Sequence, residues 1–163
     1  MKLIDHWDEI RSLFDKSLKT AKHLSFATVD KDGNPHVTPI GSLILKKDCT
    51  GFFSDKFPQR MNDNFQYSNR VAIMAVNTGF WFWFKSIRTG KFATLPGIRL
   101  YGSVGEKRKS SDREKQAWLK RVKFAKGTKG YQLLWKDMSY VRDIHFDSFR
   151  PVLAGEMTSW FGK

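Results

Sequence analysis

The chain has 163 residues, 40% of them hydrophobic and 15% aromatic, enough to bury roughly 70% of the unfolded surface around one core without disulfides or a structural metal. The lone cysteine, Cys49, excludes an internal disulfide, and the opening MKLIDHWDEIRSLF lacks the apolar core of a secretory signal, so a reducing, cytoplasmic setting is expected. The net charge of +13 admits a nucleic acid, an anionic lipid or a phosphorylated ligand as partner and does not choose among them.

In chain order, Asp5 is placed to cap a first helix in which Trp7, Ile10, Phe14 and Leu18 recur at helical spacing, with Lys16, Lys19 and Lys22 toward its end. Such a helix would cover an open end or side of a sheet. The next stretch, 23–60, reads as two hairpins and a helix start. Strands over 24–30 and 35–46 flank Asp32-Gly33, which tolerates the positive φ of a two-residue turn, and a second turn lies over 47–50. A short strand over 51–54 then runs through Asp55-Lys56-Phe57 into Pro58, which suits the first turn of a helix. Lys56 and Arg60 flank that helix start, a seat for a phosphate.

Within the second strand, Val37, Pro39, Gly41, Leu43 and Leu45 alternate with Thr38, Ile40, Ser42 and Ile44. Both sets are substantially apolar, so one face should fill a core and the other should meet a ligand or a partner subunit. Pro39 inside a strand implies an edge or a bulge, where a ligand can reach unpaired backbone groups.

The apolar run 70–77 predicts a central strand, and 71–84 is too short and too interrupted for a transmembrane helix. The aromatic block Phe80-Trp81-Phe82-Trp83-Phe84 is favoured as core or dimer-interface packing over a ring-stacking substrate lid. Lys85, Arg88 and Lys91 keep membrane-surface insertion open as a third reading. After a connection over 92–96, Ile98, Leu100, Gly102 and Val104 alternate with Arg99, Tyr101 and Ser103 to give the clearest strand.

Ser111 and Glu114 form a capping-box pattern ahead of a basic helix with Trp118, Val122 and Ala125 on its apolar stripe. Arg108, Lys109, Arg113, Lys115, Lys120, Arg121, Lys123, Lys126 and Lys129 make this region a solvated face or a docking surface. A short apolar segment over 131–135 and a last strand over 138–149 follow, with Arg150-Pro151 expected to end the ladder. The apolar tail, with Met157, Trp160 and Phe161, should dock on its own subunit or a partner. Neither an internal repeat nor a dividing linker is present, so residues 1–163 read as one domain.

Hydrolysis and acyl transfer find no residue set: Cys49 lies in a turn, and no serine sits in a nucleophile-elbow context. His6, His23, His36 and His145 are scattered without metal-ligand spacing.

Three segments, ATVDKDGNPHVTPI at 27–40, FFSDKFPQRMNDNFQYSNRVAIMAV at 52–76 and PGIRLYGSVGE at 96–106, resemble the pyridoxamine 5'-phosphate oxidase-like, FMN-binding split-barrel family. The resemblance implies a mainly β fold with flanking helices, a six-stranded antiparallel split β-barrel of Greek-key type. It also implies a homodimer with FMN at the interface, acting as a flavin-dependent oxidoreductase on a small-molecule substrate. By position, Thr38, Pro39 and Ile40 would border the isoalloxazine, and Ser54, Lys56, Arg60 and Asn64 would serve the ribityl chain and phosphate. Arg99 and Tyr101 would lie near the dimer seam, in reach of the partner's flavin or a substrate anion. Where the family often carries Ser-Arg-Lys, this chain has Gln59-Arg60-Met61.

Related split barrels use a deazaflavin or bind haem, and His145 would then be the first haem-ligand candidate. The competing reading is a non-catalytic binding protein whose basic helix, 110–126, meets nucleic acid or an acidic partner. It ranks second because that stretch carries no recognisable nucleic-acid motif.

Overall fold

The computed structural model describes residues 2–56 and 59–161. A 3₁₀ turn, Leu3–His6, leads into α1 (Trp7–Ala21), with Asp5 in that turn and His6 at the cap. Lys22 ends α1 in the left-handed conformation, φ 66°. Trp7, Ile10, Leu13 and Phe14 are buried, as the helical spacing of apolar residues requires.

Seven strands follow: β1 (Leu24–Val29), β2 (Pro35–Ile40), β3 (Ile44–Leu45), β4 (Thr50–Ser54), β5 (Arg70–Val76), β6 (Gly97–Lys109) and β7 (Tyr140–Val152). They form one antiparallel sheet in the order β2-β1-β5-β6-β7-β4-β3, one strand more than expected. The stretch read as a single strand over 35–46 is two. β2 and β3 are consecutive in sequence yet occupy opposite edges, so residues 41–43 carry the chain across the gap and the sheet curls into a split barrel. The Ser54 amide donates to Ser42 Oγ at 3.0 Å, one bond spanning that seam.

Inside the barrel, Phe26, Phe53, Ile73 and Leu100 meet the apolar face of α1, with the Phe26 and Phe53 rings 5.3 Å apart. Each such side chain contributes about 1.5–3 kcal/mol through burial. Trp7 Nε1 donates to the Lys46 carbonyl at 2.9 Å and fixes α1 to the strand edge.

A second, smaller core lies beyond β4 and β7, where α4 (Asp112–Arg121) brings Trp118 and the following Val122 onto Phe52, Met138 and Val141. The capping box is present in full: the Glu114 amide donates to Ser111 Oγ and the Ser111 amide to Glu114 Oε2. Segment 131–135 is a single π-helical turn.

The hairpin between β1 and β2 is a five-residue loop instead of a two-residue turn. Asp30 accepts the Asp32 and Asn34 amides and Gly33 takes φ +82°. The aromatic block opens α3 (Phe80–Thr89), a helix bounded by Gly79 and by Gly90 at φ 64°, in which only Phe82 and Trp83 pack inward, on buried Phe92. β7 does not stop at Pro151, which pairs with Ile98; β4 has already ended on the other side there, so the missing N–H interrupts no ladder. The tail docks on its own chain: the Phe92 amide donates to the Met157 carbonyl at 3.0 Å, and Trp160 and Phe161 pack on the main core. No described helix is long and apolar enough to cross a membrane.

Candidate functional site

The seam of the barrel holds a cavity of about 250 Å³. Thr38, Pro39, Ile40, Gly41 and Ser42 form one wall as the chain leaves β2, and Ser54 closes it from the end of β4. Trp118 of α4, Leu134, Trp135 and Asp137 form the facing wall. Trp118 Nε1 donates to the Trp135 backbone carbonyl at 2.9 Å, which ties the Trp118 indole to the 131–135 turn. Because β2 is an edge strand, alternate backbone N–H and C=O groups between Thr38 and Ile40 have no strand partner. Thr38 Oγ1 lies 3.1 Å from His36 Nε2.

A second cleft of about 550 Å³ runs between α1 and α4 and shares Gly41, Trp118 and Trp135 with the first. It is basic, lined by Lys19, Lys22, Lys120 and Arg121 over an apolar floor that includes Leu18 and Phe124. Arg121 donates to the Leu43 carbonyl and pairs with Asp15 at 3.5 Å, pinning α4 to the β2–β3 crossing. Burial pushes this guanidinium below its ordinary pKa, against the pull of Asp15.

What holds Trp118 in place is charged. Arg108 of β6 donates to both Glu114 oxygens, at 2.6 and 2.9 Å, and to both Asp143 oxygens, at 2.6 and 2.7 Å. The hydrogen bonds from Arg108 hold Glu114 at a pKa of about 2 and keep Asp143 below the usual carboxylate range. Arg108 and Arg121 are therefore framework residues, whereas Arg113, Lys115, Lys120, Lys123, Lys126 and Lys129 are exposed on the basic face.

Thr38, Pro39, Ile40 and Ser54 thus share one cavity. Lys56 is exposed just beyond Ser54, and Arg60 is exposed on the first turn of α2 (Gln59–Asn64); Pro58, expected at that turn, lies outside the described residues. Asp30 sits below the usual carboxylate range, chiefly through hydrogen bonds from Asn34, with a weaker attraction from Arg60. Asn64 does not line the cavity: it is buried and donates to Thr28 Oγ1 at 2.8 Å, fastening α2 to β1.

Arg99 and Tyr101 also lie off the cavity, on the outer face of β6. The register nonetheless links them to β2, since directly paired residues face the same side. Pro39, Ser25, Met74 and Arg99 form one row across the outer face, and Val37, Ala27, Ala72 and Tyr101 the next.

The residues that sequence reasoning missed are Gly41, Ser42 and the wall formed by Trp118, Leu134, Trp135 and Asp137. Trp118 is legible only as part of a helix stripe, and nothing local announces that this helix closes over the seam. His145 is exposed on β7, paired with Ser103 and Thr50, and no cluster of His, Cys, Asp or Glu able to hold a metal exists among the described residues.

The family model for pyridoxamine 5'-phosphate oxidase matches residues 10–145. The chain belongs to that family. Among solved structures it is similar to HupZ of Group A Streptococcus, at 20% identity over 91% of this chain and 94% of that one, with a TM-score of 0.58. An FMN-binding protein from Syntrophomonas wolfei subsp. wolfei matches at 18% identity, 92% and 94% coverage and a TM-score of 0.58. An F420 reductase matches at 16% identity, 86% and 94% coverage and a TM-score of 0.57. At these identities the shared property is the split-barrel fold. No curated protein matches the chain.

The residues present fit a flavin. Two contiguous cavities together fall in the range of small-molecule sites, roughly 300–1,000 Å³. Tryptophan walls suit a planar ring, the edge of β2 offers backbone groups to its heteroatoms, and Thr38, Ser42 and Ser54 offer hydroxyls, while Lys56 and Arg60 line neither cavity.

Proposed function

We propose that residues 1–163 act as one FMN-binding domain, an oxidoreductase of the pyridoxamine 5'-phosphate oxidase family that works as a homodimer in the cytoplasm on a small-molecule substrate. The observation that carries the reading is the meeting of Thr38, Pro39, Ile40 and Ser54 around one cavity at the barrel seam, faced by two tryptophans. Thr38 and the β2 backbone would hold the isoalloxazine, and Ser54, Lys56 and Arg60 the ribityl chain and phosphate. α2 has only six described residues, a short dipole, so the two cations would supply most of the attraction to phosphate. Asn64 acts one step removed, by holding α2 against β1.

When bound, the flavin supplies the hydride chemistry, which frees the protein from needing a catalytic acid, base or metal of its own. The chain's part is to orient the ring, to exclude water with Trp118 and Trp135, and to admit an anionic substrate along the basic cleft beside them. The dimer is supported by the outer face of β2, β1 and β5, which presents Val37, Val29, Ala27, Ala72 and Met74 where a solvent face would be polar. Closing a twofold dimer on that face would bring Arg99 and Tyr101 of one subunit toward the flavin of the other.

The test is FMN retention by a Lys56→Ala/Arg60→Ala double variant. Two charge-assisted bonds at about 1.5–3 kcal/mol each predict a loss of affinity of at least a hundredfold with the fold intact. Unchanged retention would remove both residues from the phosphate site.

A further inference from the structure

The helix α3 is divided into two faces with opposite surroundings. On the inner one, the Phe82 and Trp83 rings meet Phe92 at 5.4 and 5.2 Å, Trp83 Nε1 donates to the Asn77 carbonyl at 2.6 Å, and Ser86 is buried. The outer face presents Phe80, Trp81, Phe84 and Ile87, which are 71%, 75%, 49% and 70% exposed. Positions i, i+1, i+4 and i+7 occupy one side of a helix, so the four make a continuous ridge. Their rings already pack on one another: Phe80 stacks on Phe84 with centroids 6.1 Å apart, and Trp81 meets both edge-on at 5.3 and 6.0 Å. An ordered, contiguous aromatic patch of this kind marks an interaction site.

The charges around it select the occupant. Lys85 and Arg88 lie exposed on the same helix and Lys91 just past its end. The last turn of α1, with Lys19 and Lys22 to either side of Thr20, is joined to the start of α3 by the hydrogen bond from Thr78 Oγ1 to Thr20 Oγ1 at 2.9 Å. Residues 64–105 contain no aspartate or glutamate at all. A second copy docked through this face would bring like charges together, whereas an anionic surface would neutralise them. Trp and Phe above a rim of Lys and Arg is the composition that settles at the boundary between lipid headgroups and acyl chains.

We propose that α3 is a membrane-surface anchor, lying in the plane of an anionic bilayer with Phe80, Trp81, Phe84 and Ile87 immersed and Lys85, Arg88 and Lys91 at the lipid phosphates. None of Phe80, Trp81, Phe84, Lys85, Ile87, Arg88 and Lys91 lines either cavity at the barrel seam.

The full chain is tested by co-sedimentation with vesicles of phosphatidylcholine, alone or with about 30% phosphatidylglycerol, where each surface cation adds attraction to the anionic lipid. The expected result is partitioning at least about tenfold stronger onto the anionic vesicles, lost in a Phe80→Ser/Phe84→Ser variant of unchanged melting temperature. Brominated acyl chains should quench tryptophan fluorescence, and Trp81→Phe should remove that quenching. Absence of binding to anionic vesicles overturns the proposal, as does binding that survives the double substitution, which would then rest on charge alone. A third overturning result is a variant that stays off vesicles but sediments with a lower mass than the parent, because the ridge would then be covered by a second copy.

Discussion

Replacing Glu114 by Gln removes the charge that holds α4 on the barrel. Glu114 accepts two hydrogen bonds from Arg108 and one from the Ser111 amide, its side chain is only 10% exposed, and its pKa stands at about 2 against an ordinary 4.5. At about 1.4 kcal/mol per pKa unit that gap has a ceiling of roughly 3 kcal/mol. Arg108 is 37% exposed, so solvent screening lowers the expected loss to about 1–2 kcal/mol. The folded pKa is depressed, so this stabilisation is complete above the unfolded value and fades as pH falls from about 4.5 toward 2. Urea unfolding of both proteins at neutral pH and near pH 3, followed by tryptophan fluorescence, measures it. Glu114→Gln should be less stable at neutral pH and lose less on acidification, since Asp143 and the other carboxylates titrate in both proteins. Equal stability at neutral pH together with equal acid sensitivity would refute the pairing as the clamp on α4.

Gly41 lies where β2 leaves the sheet, and a Cβ there would sit 2.7 Å from the Lys22 carbonyl oxygen. Gly41→Ala should therefore cost about 1–3 kcal/mol in a thermal melt and weaken FMN binding, because the same residue lines both cavities; a variant unchanged in both would contradict this. Asp55, fully buried, accepts from Arg142 Nε at 2.9 Å with Lys107 Nζ at 3.7 Å. Asp55→Asn should lower stability in urea by about 3–5 kcal/mol by removing the buried carboxylate charge that Arg142 and Lys107 face, and a loss well under that range would mean water reaches the pair.

Local pattern carried much of the architecture. The alternation of Ile98, Leu100 and Val104 with Arg99, Tyr101 and Ser103 is a strand because one side of it is core, and Ser111 with Glu114 is a helix start because their bonds are local. What escaped local reasoning depends on contacts far along the chain. The apolar alternation over 35–46 continues through residues 41–43, so nothing in it marks the place where the chain crosses the seam. Five consecutive aromatics read as core or interface packing ahead of a substrate lid or a membrane surface, and only Gly79, Gly90 and the packing on Phe92 make them a half-exposed helix. Pro151 stays in β7 because β4 is short. At the candidate site, Thr38, Pro39, Ile40 and Ser54 were legible only through the resemblance of segments 27–40 and 52–76 to the family, since nothing in their local pattern marks a cavity wall. Trp118 and Trp135 face them through a helix closure held by Arg108 and Arg121, whose partners Asp143 and Asp15 are remote in sequence. The same remoteness makes a basic stretch look uniformly solvated when two of its arginines are structural.

The most direct test of the account is an absorption spectrum of the purified chain after incubation with FMN and gel filtration. Flavin should co-elute with the protein in near one-to-one ratio, its visible bands shifted by the tryptophan walls, and should be lost in the Lys56→Ala/Arg60→Ala variant. Protein that emerges with its aromatic band alone, folded and free of FMN, would contradict a flavin site at the barrel seam.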